Sequence, residues 1–351
     1  FGGWRSKSKL HRRSSTPVSD NGAVIKPPSA QAHAAAADRL AALAIPGGAL
    51  GHLGQTALWW ASVRGDAFAP PPSRVRAVVF AGDHGVAAHG VSAYPAEVTA
   101  AMVGAFVKQV AGVSVLARQH DVHVRVLDLG VNADLSGFGP RVTAFKVRSG
   151  TEPIHLADAM TAEQTQQALT AGATIAREEL SAGADLLIAG DMGIGDTTIA
   201  AAVIAACLGL AAEAVTGRGT GIDDSTLAVK TEVIATALTR TEPRHGDPVE
   251  LLTALGSPDI AAQVGYLTAA AEAGCPVLLD GVVSVAAALV AERLRPGTVN
   301  WLWAGHRSTE PAQSLALADL DLIPLLDLGM RLGEGSGAVA AVPLVRSAAL
   351  L

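Results

Sequence analysis

The feature that most constrains this chain is an alternation. Short apolar runs rich in branched residues end in glycine-containing polar loops, and longer alanine-rich segments with helical character lie between them. The runs at 76–81, 123–129, 186–189, 276–279, 299–304 and 323–326 are each four to seven residues long, the length of strands rather than helices. Strands buried on both faces imply a parallel sheet covered by helices on either side. Thr161 followed by Gln164 forms a capping box for a helix running to about Leu180, which then feeds the run at Leu186, a β-α-β rhythm. The expected fold is α/β: a Rossmann-like parallel sheet flanked by helices, with a smaller, mainly helical lobe built from the N- and C-terminal segments. The large lobe is expected over about 75–330 and the small one over about 31–70 and 335–351.

Composition narrows the function classes. The 351 residues suffice for two domains or one large α/β domain, and 50% hydrophobic against 17% charged residues excludes disorder of the whole chain. With 4% aromatic residues and a formal charge of -6, a nucleic-acid surface is disfavoured, because phosphate binding needs a basic excess and stacking rings. The basic residues Arg5, Lys7, Lys9, Arg12, Arg13 and Lys26 against the single acid Asp20 mark residues 1–30 as a disordered leader or linker, with a basic docking arm as the alternative. No apolar stretch follows that cluster, so a secretory signal is not expected, and a start at Phe1 fits the end of a longer reading frame. Cys207 and Cys275, both in apolar runs, exclude a disulfide framework and fit a reducing cytoplasm. The uncharged stretch 197–212 is shorter than the roughly 20 residues of a membrane span, so no membrane partner is expected.

In parallel α/β sheets, ligands lie beyond the carboxyl ends of the strands, so the loops leaving each run carry the chemistry. Gly190, Gly193 and Gly195 lead into a helix expected to begin near Thr197-Thr198, where bare backbone N–H groups and the helix macrodipole suit a phosphate. The spacing matches neither the dinucleotide fingerprint nor the P-loop, so a plain tight turn is the alternative. Gly217-Arg218-Gly219-Thr220-Gly221 admits a phosphate or sugar in the same way. Asp223-Asp224 resembles the paired acids of magnesium-dependent diphosphate-sugar transferases but follows no hydrophobic strand, which favours helix capping instead. Glu334, isolated between glycines in Gly333-Glu334-Gly335, is either an acid at a helix start or a general base aimed into the cleft. His84, His89 and His306 lack the spacing of paired metal ligands, and Trp59, Trp60, Trp301 and Trp303 read as packing residues.

Taken together, the segment Val78-Val79-Phe80-Ala81-Gly82-Asp83-His84-Gly85-Val86, the segment Gly90-Val91-Ser92-Ala93-Tyr94-Pro95, the Gly-x-Met-Gly-Ile-Gly loop and the run from Leu326 through Gly337 resemble the nicotinate-nucleotide:dimethylbenzimidazole phosphoribosyltransferases of cobalamin (vitamin B12) lower-ligand assembly. The resemblance covers the chain from about Ala36 onward. It implies transfer of the 5-phosphoribosyl group from nicotinate mononucleotide to 5,6-dimethylbenzimidazole in a homodimer, with no cofactor and no metal. It also implies Glu334 as the catalytic carboxylate and phosphate contacts at Gly193, Gly219, Gly281, Ser308 and Thr309. The base pocket would include Ser92, Tyr94 and Leu332, and the nucleotide site Asp191 and Lys230. Two positions depart from the commonest pattern of the family: Asp191 stands where Glu is frequent, and Asp196 where the loop often has Asn. The second puts negative charge beside a phosphate site unless it caps the helix or points away. Two other readings compete: a nucleotide-binding sensor with little turnover, and a Mg²⁺-dependent diphosphate-sugar transferase.

Overall fold

The computed structural model describes residues 24–351. Five strands form one sheet: β1 (Val75–Gly82), β2 (Val122–Gly130), β3 (Leu186–Met192), β4 (Val277–Leu279) and β5 (Leu302–Ala304), in the order β2-β1-β3-β4-β5 with every pair parallel. This is the doubly wound parallel sheet that the alternation predicts. The order reverses at β1: the chain steps to one side for β2 and returns to the other for β3. At such a switch point neighbouring loops diverge and open a crevice.

Alternation along each strand explains the two layers. Val78, Phe80, Leu127, Leu129, Leu187, Ala189 and Leu279 face one apolar cluster, built with the helices Ala162–Ser181, Asp196–Leu208, Pro258–Glu272 and Val282–Leu294. Ala77, Val79, Ala81, Val126, Ile188 and Leu278 face the other, built with Gly51–Arg64, Val98–Val107, Gly112–Gln119 and Ser336–Leu350. The terminal helices Ala30–Ala41 and Ser336–Leu350 pack on Gly51–Arg64, and their core is continuous with the second face of the sheet. On the first face, Ala162–Ser181 and Pro258–Glu272 cross with backbones touching. A Cβ on Gly172 would strike the Ala262 carbonyl, and one on Gly265 the Leu169 carbonyl.

The capping box is present, with Gln164 N donating to Thr161 Oγ1 and Thr161 N to Gln164 Oε1, and the helix ends at Ser181. Two strand expectations need correction. Residues 298–301 form a 3₁₀ turn after the left-handed Gly297, so β5 starts only at Leu302. Residues 323–326 contribute one isolated bridge, Leu326 to His306, because Leu325 and Leu326 only hook their N–H groups onto Ala304 and Gly305.

Of the expected leader, residues 1–23 lie outside the described residues. The rest lies on the body: Ile25 is buried with its N–H on Pro296, Trp301 Nε1 donates to the Lys26 carbonyl, and Ser29 caps the first helix through Ala32 N. The tryptophans serve packing, with Trp59 and Trp303 stacked at 5.2 Å. Residues 98–119 are apolar over a length that would cross a bilayer, but they form two helices broken at Gln109, which is left-handed.

Candidate active site

The loops at the carboxyl ends of β3, β4 and β5 enclose a cleft of about 720 Å³, partly open to solvent. Its floor is the β3 loop, where Asp191, Gly193, Ile194, Asp196 and Thr197 line the space, and its walls come from Gly219-Thr220, Gly281-Val283, Ser308, Glu310 and residues 331–333. Two helices begin at this region, Asp196–Leu208 after Gly195 and Val282–Leu294 after Gly281. At the first, Asp196 N donates to the Gly193 carbonyl and Thr198 N to the Gly195 carbonyl, whereas at the second no side chain caps the N-terminus. Free N–H groups at a helix start such as the second suit an anion. The first helix begins one residue before the expected Thr197, and Asp196 Oδ1 accepts from Thr197 N, so this acid caps its own helix.

Glu334 sits behind residues 331–333. It adopts φ +65°, between Gly333 at +73° and Gly335 at +87°, three consecutive left-handed residues of which only the middle one bears a Cβ. Such a backbone costs about 1–3 kcal/mol at a residue that is not glycine, and it persists only where surrounding contacts impose it. Here they do. Glu334 N donates to the Asp191 carbonyl, and Asp280 accepts from Gly335 N and Ala338 N. Gly190 makes the approach possible, since a Cβ there would lie 2.6 Å from the Glu334 carbonyl oxygen. The Glu334 carboxylate is buried. Its Oε2 accepts from Val113 N at 2.9 Å, at the start of the helix Gly112–Gln119, and Oε1 has no partner among the described residues. Burial lifts its pKa above the ordinary 4.5; the Val113 N–H opposes the rise and the nearby Asp280 adds to it.

The other acids follow the same physics. Burial pushes Asp191 well up, reinforced by Asp196 and Asp280, and raises Asp196 against the pull of His84. Two neighbouring buried carboxyls cannot both ionise cheaply, so the pair carries less charge than its formula suggests. Asp191 Oδ1 is buried and has no partner among the described residues. The concern raised by Asp196 is thus met by capping and by burial.

Of the positions expected from sequence, Asp191, Gly193, Gly219, Gly281, Ser308 and Leu332 line the cleft. Lys230 lies beneath it, donating to Thr197 Oγ1 and the Gly217 carbonyl, and burial lowers its pKa although Glu310 and Asp196 oppose this. Ser92 reaches the rim, its hydroxyl 3.3 Å from Thr220 Oγ1, while Tyr94 stands 55% exposed beside it. Thr309 lies outside the lining and is exposed, whereas Ser308 is buried, its N–H on Gln313 Oε1 and its hydroxyl accepting from Glu310 N. Gly193 serves the fold as well as the cleft: a Cβ there would strike the Gly82 carbonyl and the His84 ring.

Asp223 and Asp224 are absent from the lining. Asp223 caps its helix through Thr226 N, and Asp224 pairs with Arg218 at the surface. The three histidines separate, His84 against Asp259, His306 against Asp280 and His89 against His155. Sequence reasoning missed Arg331, whose guanidinium lines the cleft and donates to the Gly219 carbonyl, and Glu310, which accepts from Gly219 N. Arg331 stands three residues before Glu334 in the same glycine-rich run, the one signal that could have flagged it.

Comparison with known proteins places this architecture. A family model described as phosphoribosyltransferase matches residues 25–351. The chain is 52% identical over 326 residues to the nicotinate-nucleotide–dimethylbenzimidazole phosphoribosyltransferase of Mycobacterium avium (strain 104), covering 93% of each. It is 51% identical to the enzyme of that name from Mycobacterium tuberculosis, covering 93% of this chain and 90% of that one. The crystal structure of CobT from Thermus thermophilus superposes with a TM-score of 0.87 at 44% identity, covering 91% of this chain and 95% of that chain. The chain belongs to the nicotinate-nucleotide–dimethylbenzimidazole phosphoribosyltransferase family.

Proposed function

We propose that this cleft transfers the 5-phosphoribosyl group of nicotinate mononucleotide to 5,6-dimethylbenzimidazole, giving α-ribazole 5′-phosphate and nicotinate for cobalamin biosynthesis. One observation carries the chemistry: a buried carboxylate, Glu334, is held in a left-handed backbone behind the wall of the cleft, with one oxygen on Val113 N and the other without a partner among the described residues. In the donor the pyridinium nitrogen is already cationic. The C1′–N bond breaks with its electron pair passing to nicotinate, so no general acid is needed and positive charge develops on the ribose. One nitrogen of the benzimidazole attacks C1′ from the opposite face, inverting the configuration to α. The other nitrogen sheds its proton, and Glu334 takes it, a contribution of about 10² to 10⁴ in rate. Holding both reactants in line supplies much of the rest.

The uncapped N–H groups beyond Gly281, with the backbone at Gly193 and Gly219 and the Ser308 hydroxyl, suit the nucleotide phosphate. Lys230 and Asp191 support the nucleotide side of the cleft, and Ser92, Tyr94 and Leu332 the benzimidazole side. No diphosphate leaves, so the reaction does not call for Mg²⁺. We assign the working form as a homodimer, supported by Val110 and Val115, which stand 66% and 54% exposed on the apolar segment 98–119. Two free, buried cysteines fit a cytoplasmic setting. The test is to incubate the purified protein with nicotinate mononucleotide and a panel of bases, with and without a chelator, and to identify products by mass. Nicotinate and α-ribazole phosphate are expected in both arms; tight nucleotide binding without nicotinate release would refute the enzyme reading.

A further inference from the structure

We propose that His84, in its doubly protonated form, is a positioning residue that clamps the floor of the cleft, so that affinity for the nucleotide depends on the His84 proton. The proposal rests on the functional reading above for the identity of the ligand; the clamp itself stands on geometry.

His84 follows β1 at the switch point, and its side chain is fully buried. Nδ1 lies 3.3 Å from the Ile194 carbonyl oxygen, and Nε2 lies 3.3 Å from Asp259 Oδ1, an ion-pair contact without hydrogen-bond alignment, and has no hydrogen-bond partner among the described residues. A neutral imidazole has one N–H and one lone pair, so between a carbonyl and a carboxylate it would aim that lone pair at an acceptor. The imidazolium offers an N–H to the carbonyl and sets its positive charge against the carboxylate. The surroundings are built for this ring: a Cβ on Gly82 would lie 2.6 Å from Asp259 Oδ1, and one on Gly193 would meet the His84 ring.

The charged groups that face the ring are acids from three elements: Asp259 at the start of the helix Pro258–Glu272, Asp196 at the start of Asp196–Leu208, and Asp83 at the end of β1. Burial by itself favours the neutral ring, but these acids outweigh it and raise His84 to about 9. The peptide that His84 grips is also held at its other end, where Ile194 N donates to Thr99 Oγ1. Gly193 and Ile194 line the cleft, so the two holds fix the orientation of backbone at the anion floor. Glu334 is anchored independently, through Val113, Asp191 and Asp280. Loss of the clamp should therefore act on nucleotide binding far more than on turnover.

The test has three arms. In the wild-type protein, ¹⁵N-resolved spectra of the ring, assigned by their loss in His84→Gln, should show both ring N–H groups at neutral pH. The KM for nicotinate mononucleotide should be flat to about pH 9 and then rise. His84→Gln keeps a donor but no charge; it should raise that KM by about tenfold, with kcat within about threefold and no high-pH rise. Asp259→Asn should bring the rise in KM about one to two pH units lower, because it removes the nearest anion. A purely structural role would not move that profile. A KM profile of Asp259→Asn identical to wild type, or an unchanged KM in His84→Gln, would overturn the proposal, as would a singly protonated ring at neutral pH. Should His84→Gln fail to fold, the Asp259→Asn profile decides the matter. Absence of any turnover in the wild type would instead refute the assigned reaction, and the same three proteins would then be compared by calorimetric affinity for the mononucleotide.

Discussion

Replacing Glu334 by Gln separates chemistry from structure more cleanly than any other change at this site. The amide has the length and shape of the carboxyl, so the left-handed backbone and the contacts of the loop with Gly190 and Asp280 remain available. Its oxygen can still accept from Val113 N, exchanging a charge-assisted hydrogen bond for a neutral one, a loss of about 1 kcal/mol. A second effect opposes it. Burial raises the Glu334 pKa, so the folded state binds this proton more readily than the unfolded chain. Its stability contribution is complete below the ordinary 4.5 and declines as pH rises through the elevated folded value. The amide removes that decline, so near neutral pH the two effects oppose one another, and the net loss stays within the about 1 kcal/mol of the weakened hydrogen bond, a Tm change of no more than about 4 °C. The chemistry is not offset. An amide cannot accept the benzimidazole proton, so kcat should fall by about 10² to 10⁴, or about 2.7–5.5 kcal/mol of barrier. The assay is steady-state turnover with both substrates saturating, beside thermal melting and calorimetric affinity for the mononucleotide. Turnover within about threefold of wild type would remove Glu334 from the base role. A fall in kcat matched by an equal fall in affinity and a large drop in Tm would mean the loop had collapsed.

Three further outcomes follow from the same geometry. In wild type, kcat should climb with pH on a limb whose midpoint lies above the ordinary carboxylate value, and that limb should vanish in Glu334→Gln; a rate independent of pH between 4 and 8 would contradict the burial argument. Gly190→Ala puts a methyl group 2.6 Å from the Glu334 carbonyl oxygen, so the loop must retreat by about half an ångström or more, and kcat should fall by about 10- to 100-fold while nucleotide affinity changes less than threefold. Full activity in that variant, measured by the same turnover assay, would show that the loop is not held where the structure has it. Gly193→Val should lower thermal stability by about 2 kcal/mol or more as well as weaken nucleotide binding, because its side chain meets the Gly82 carbonyl and the His84 ring rather than only the phosphate; an unchanged melting temperature would restore the simpler blocking picture.

Much of the fold was legible because burial on both faces writes itself into sequence as unbroken apolar runs. β1, β2 and β3 were readable to within two or three residues at either end. The run at 323–326 misled because apolar composition reports burial and not pairing, and only Leu326 finds a partner in the sheet direction. The run at 299–304 misled because Gly297, left-handed, starts a tight turn whose apolar residues serve packing. At the site, glycines marked the loops correctly, but which side chain enters the cleft is a tertiary matter. Ser308 and Thr309 are chemically alike and adjacent, and only the folded loop, which buries Ser308 against Gln313 and Glu310 and leaves Thr309 exposed, tells them apart. The left-handed backbone of Glu334 was equally hidden, since it is imposed by partners at Asp191 and Asp280, about 140 and 50 residues away.

The bare-backbone crossing of Ala162–Ser181 over Pro258–Glu272 bears on this site from a distance. The second of these helices carries Asp259 to the His84 ring and brings Gln263 Nε2 to 3.5 Å from the Gly190 carbonyl. How deeply that helix can sink toward the sheet is set where Gly172 and Gly265 let main chain rest on main chain. The crossing therefore works as a depth stop. A single methyl group added at either glycine would lift the helix off its seat, and the misfit would surface in the cleft as a carboxylate out of reach of its imidazole. Variation that looks confined to the outer layer of this molecule is thus transmitted to the pocket through one rigid spacer.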